Sequence, residues 1–219
     1  MTDQKLPIEQ RIEKERLDHL YERSLTASRG LAVAIAVYAL TLIQKFDWQH
    51  LLGWYLVLLA VLGGRAYLYH LYTQDQGQSR PLSFWLFLFR LGIFCAGMTL
   101  GGLNLLFFSY EPISFLLIAI LLPYGIAVAA VTMLLDFTSF LLYVLTLLAP
   151  VIYQTALAGD RLYLGTALLT CVLGAFLLRF SKEYNQNFVD NTRLRYENKT
   201  LLDDLEEEKN KLNNRLGRI

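Results

Sequence analysis

Two arginines, Arg65 and Arg90, stand in stretches that are otherwise apolar, and a charge in hydrocarbon costs at least a few kcal/mol, so each needs a partner or a purpose. Arg90 falls about nine residues after Pro81, roughly 13 Å along a helix and close to mid-membrane. Arg65 is nearer the inner face, where a long stem could carry its charge outward. The core of no span holds an acidic residue, and the nearest on the same side is Asp136, in the tight connection between the fourth and fifth spans. Arg90 therefore either pairs with Asp136 or meets an anion. In the first case the pair is structural. In the second, Arg90 and Arg65, with Asn104 and Tyr124 as neighbouring polar groups, form a ligand-binding set for the head of an amphiphile such as a fatty acid. Thr132, Thr146, Gln154 and Thr155 add polar groups at bundle depth, suited to interhelical hydrogen bonds of about 1 kcal/mol each.

Other chemistries lack their residues. His19, His50 and His70 are scattered at span ends without HxxxH or HExxH spacing, so neither haem nor a metal ion is expected. Cys95 and Cys171 lie inside apolar runs with no CxxC, as packing residues do. GxSxG, P-loop, GxGxxG and paired membrane Asp motifs are absent, which argues against hydrolase, nucleotidase and proton-relay roles. No catalytic residue and no cofactor is assigned. The net charge of +1 gives no case for nucleic acid.

The elements that must hold the arginines are helices. The chain is 55% hydrophobic, yet its charge gathers at the two ends, so residues 25–180 are almost continuously apolar. With about 20 residues per span, the sequence predicts an all-α polytopic membrane protein with six transmembrane helices, near residues 26–43, 51–69, 81–108, 113–135, 137–157 and 162–180. Residues 1–25 read as a cytoplasmic amphipathic helix at the membrane surface, with Ile8, Ile12, Leu20 and Tyr21 on one side, or as a solvated lead-in. Basic residues precede the first span and surround the exit of the last, which puts both termini in the cytoplasm and requires an even number of spans. Trp48, Trp54, Tyr55, Trp85 and Tyr163 lie near span ends, as interfacial aromatics do. Gly97 and Gly101 form a GxxxG pair that clears one helix face, and Pro123 and Pro150 fall inside the fourth and fifth spans.

Residues 181–219 turn abruptly charged. Leu194, Asn198, Leu201, Leu205, Lys209 and Leu212 follow steps of three and four, a heptad seam with one stutter near Leu205. Asn198 would sit in that seam and favour a parallel two-stranded register, so a homodimer is expected, with Asn198, Leu201, Leu205 and Leu212 as its contacts. The segment LRYEN, residues 194–198, leading into this acidic-then-basic tract, resembles the junction of bacterial six-span sensor proteins of the membrane-associated sensor (MASE) type. The resemblance implies a sensory input module in a bacterial inner membrane, not itself an enzyme. It also implies a downstream diguanylate cyclase, adenylyl cyclase or histidine kinase domain in cis, beyond Ile219. Short loops leave little material for an external binding domain, so a stimulus would be bound within the bundle, at its rim, or be a property of the bilayer, and the arginines favour a hydrophobic or lipid-like signal. A small transporter or channel, and a structural anchor with a dimerising tail, are the alternatives. The first three spans do not echo the last three, which counts against a transporter.

Overall fold

The computed structural model describes residues 7–75, 79–109 and 113–216; for residues 113–116, 212 and 214–216 the helical backbone is described without the side chains. Six helices follow one another: α1 (Ile8–Leu42), α2 (Trp48–Asp75), α3 (Leu82–Leu106), α4 (Ile113–Met133), α5 (Phe137–Leu157) and α6 (Arg161–Leu216). No strand occurs among the described residues. By length and composition α1, α2, α3, α5 and α6 can each cross a membrane, and α4 is apolar over Leu117–Met133. The protein is an all-α, polytopic membrane protein. Large apolar side chains such as Val33, Leu56, Phe87, Leu168 and Val172 face outward, where lipid would cover them.

Local chemistry sets the helix ends. Pro81 is fixed in an extended conformation before α3 and has no amide hydrogen to leave unsatisfied. Asp136 caps α5, accepting from the Ser139 amide. Gly159 adopts φ 71°, a left-handed conformation that turns the chain from α5 into α6 within a few residues. Both intrahelical prolines, Pro123 in α4 and Pro150 in α5, sit in helices that continue past them.

The centre of the bundle is the pair α3 and α5, which pack more extensively than any other two helices. A Cβ at Gly97 would lie 2.0 Å from the Thr146 hydroxyl, and one at Gly101 would lie 2.1 Å from the Thr146 carbonyl. The GxxxG pair is thus the contact surface itself. Around it α2 bridges α1 and α3, α5 packs on α6, and α4 rests on α5 and α6 while touching α1 only lightly.

Two local expectations change. The amphipathic N-terminal segment is not a separate surface helix: it is the first half of α1, which runs unbroken for 35 residues. Its apolar side, Ile12, Leu17, Leu20 and Tyr21, is buried in protein, with the Tyr21 ring stacked on Tyr72 and its hydroxyl donating to the Trp85 carbonyl at 2.9 Å. Trp54 and Trp85 turn into the protein rather than outward, the Trp54 indole N–H donating to the Thr99 carbonyl and the Trp85 indole N–H to the carboxylate of Asp75 at the end of α2. Trp48 does stay exposed.

Candidate functional site

The two arginines have opposite fates. Arg90 donates through Nε to Asp136 Oδ2 at 2.9 Å and through Nη2 to Oδ1 at 3.0 Å, the bidentate geometry that planar guanidinium and carboxylate favour. Asp136 also accepts from the Ser139 amide at 2.9 Å and the Ser139 hydroxyl at 2.7 Å. This cluster joins α3 to the start of α5 and uses the Arg90 fork, so Arg90 takes the structural alternative open to it.

Arg65 does not turn outward. Its stem lies against Gly92, where a Cβ would meet the Arg65 Cγ at 3.2 Å, and its Nη2 donates to the Ser24 hydroxyl of α1 at 2.7 Å. Among the described residues no carboxylate pairs with it. The guanidinium thus keeps its full charge beside a neutral acceptor.

That charge lies at one end of a cavity of about 610 Å³ between α1 and α4. The walls are largely apolar, with small residues Ala27, Gly30 and Ala34 from α1 and Gly125 and Ala129 from α4 set among larger ones such as Leu31, Leu121 and Ile126. Arg65, Ile93 and Tyr143 reach it from α2, α3 and α5. A Cβ at Gly30 or Gly125 would meet nothing within 4 Å, so the space beside both is open. The groove exists because α4 packs on α5 and α6 rather than on α1. At one end Arg23 of α1 donates to the Thr132 carbonyl of α4 at 2.8 Å and ties the walls together. Asn104 and Tyr124 line no part of it: Asn104 is buried in α3, and the Tyr124 hydroxyl turns toward Thr170 of α6.

A second constellation lies where α1 meets the extension of α6. Glu15 accepts from the Arg195 guanidinium, and from the Tyr196 hydroxyl at 2.8 Å. The Glu15 carboxylate holds the Arg195 guanidinium above its ordinary range. The extension has two faces. Ser181, Tyr184, Phe188, Thr192 and Tyr196 turn toward the protein, whereas Leu194, Asn198, Leu201 and Leu205 are exposed. Leu212, the remaining seam position, lies outside the residues whose side chains are described.

Sequence reasoning did not single out Ser24, Tyr143 or Glu15. Ser24 and Ser28 are both buried on the side of α1 that carries Leu17, Leu20 and Tyr21, and this polar interruption of a buried face was the available signal. Comparison with protein-family models, curated proteins and solved structures finds no match.

Proposed function

We propose that this chain is a membrane-embedded sensory input module that takes a hydrophobic or lipid-like signal into the groove between α1 and α4. It acts as a homodimer in a bacterial inner membrane with both termini cytoplasmic. The signal passes through a parallel coiled coil formed by the α6 extension to a cytoplasmic nucleotide cyclase or histidine kinase domain in cis.

The observation that carries this reading is the continuity of α1. One unbroken helix lines the groove with Ala27, Gly30 and Ala34 and, about two turns before Ser24, grips the α6 extension through Glu15. A change in groove width that tilts α1 must therefore move or break its contact with Arg195 and Tyr196. A stimulus shifts such a two-state equilibrium only by its differential affinity for the two states, and a few kcal/mol suffices. Support for the dimer comes from Leu194, Leu201 and Leu205, which are 56%, 60% and 62% exposed in a single chain and lie opposite the face that packs on α1. The junction sequence at residues 194–198 and the basic residues flanking the first and last spans favour the sensor class and the orientation.

The test is a fusion of a diguanylate cyclase domain in helical register after Leu216. Deleting one residue between Asn198 and Leu205 rotates the output by about 100° and should change cyclase activity strongly while membrane insertion is unaffected. Unchanged activity would sink the transmission mechanism.

A further inference from the structure

We infer that the groove between α1 and α4 is a binding site for a free single-chain amphiphile with a carboxylate head, the carboxylate seated on Arg65 and the chain lying between the two helices. The inference rests on the reading of this groove as the sensory site and specifies what it recognises.

Charge is the first reason. Among the described residues the Ser24 hydroxyl is the one hydrogen-bond partner of Arg65, and a guanidinium at bundle depth facing a neutral oxygen retains an uncompensated charge and unused donors. Arg90 shows how this bundle satisfies such a group when a carboxylate is at hand: two parallel bonds to Asp136. Among the described residues no acid lines the groove, and an incoming carboxylate would complete the same fork. The charge is also held in place, since the Arg65 stem fits over Gly92.

Shape is the second. The polar side chains of the groove, Ser24, Thr26, Arg65 and Tyr143, belong to one end, and the lining from there to Ala34 and Ile118 is small and aliphatic. From Ser24 to Ala34 the wall runs about 15 Å at the helical rise, enough to cover an acyl chain of laurate length. A groove near 610 Å³ is in the range that holds a small ligand such as one acyl chain. An amphiphile of this form would arrive from the bilayer with its head toward the level of Ser24, midway along α1, and the end of α4.

The full chain, purified in a non-ionic detergent, should bind laurate with a raised unfolding temperature and a single adduct by native mass spectrometry. Dodecanol, with the same chain and no charge, should bind about tenfold more weakly. Arg65→Gln should bring laurate down to the dodecanol level, Arg65→Lys should restore part of the difference, and Gly125→Leu, which fills open space, should remove binding of both. If Arg65→Gln does not fold, the head-group comparison on the natural chain and Gly125→Leu still decide. Equal affinity for laurate and dodecanol would overturn carboxylate recognition. Retention of dilauroyl phosphatidylglycerol in place of laurate would overturn the free acid in favour of a membrane phospholipid, and laurate binding that survives Gly125→Leu would place the site elsewhere. Hydrogen exchange around Arg195 separates this inference from the sensory reading: laurate bound through Arg65 with no change in exchange there would leave the site standing and remove the sensor.

Discussion

Removing one member of the Arg90–Asp136 pair leaves the other charge without its counter-ion, and the two residues should not be equally sensitive. Asp136 is 4% exposed, caps α5 and accepts from Ser139, whereas a third of the Arg90 side chain is accessible. Asp136→Ala should therefore be the more damaging, by about 3–4 kcal/mol when the stranded charge and the lost cap are taken together. Arg90→Gln should cost about 1–2 kcal/mol, discounted for that exposure. The double variant should cost less than the sum of the two. Thermal unfolding in detergent measures all three, and strict additivity would mean that the bidentate bond contributes no mutual energy. Arg65 behaves differently in kind: its partner is a neutral hydroxyl, so Ser24→Ala strands no counter-charge but leaves a buried guanidinium donor unsatisfied, and should cost about 1–3 kcal/mol, less than Asp136→Ala.

Helices transmit what residues sense only if some contacts are rigid and others are not. The α3–α5 contact is rigid, because the Thr146 backbone carbonyl occupies the place where a Gly101 side chain would be. Gly101→Ala must push the two helices apart and should lower the unfolding midpoint markedly, by about 2–3 kcal/mol of overpacking. Gly102→Ala, with nothing within 4 Å of its Cβ, should leave the midpoint unchanged or raise it slightly through helix propensity. A similar cost at both glycines would show that the close approach is not what holds α3 to α5. The α1–α4 contact is the opposite case: light packing, an open groove and the Arg23 tie to Thr132 at one end. Movement of α4 relative to α1 disturbs few apolar contacts, so this is the boundary along which the bundle can change shape at small cost.

At the scale of the whole molecule the 56-residue helix α6 is roughly 84 Å long, more than twice the thickness of a hydrocarbon core, so a large part of it must project beyond the bilayer. Leucines on the face turned away from α1 are exposed in one copy, and in the proposed dimer a second copy covers them. Cysteines introduced at Leu201 or Leu205 should therefore cross-link two chains in native membranes under mild oxidation, whereas a cysteine at Glu206 should not. Equal cross-linking at all three positions would indicate random collision and refute the parallel seam.

How much of this was legible in the sequence differs by residue. Hydropathy alone determined the all-helical membrane class, because about 20 consecutive apolar residues have few stable alternatives. The scarcity of acids narrowed Arg90 to Asp136 or an exogenous anion, and GxxxG marked a close contact. Tertiary structure alone decided which arginine kept its charge free, since Asp136 reaches Arg90 across 46 positions and Ser24 reaches Arg65 across 41, and neither partner is fixed by local spacing. It also decided that Trp54 and Trp85 turn inward and that α1 is one helix from the α6 contact to the groove. Periodicity reports which face of a helix is apolar. The partner that covers that face, and the gap left where two helices do not meet, are properties of packing between distant segments, which no local pattern encodes.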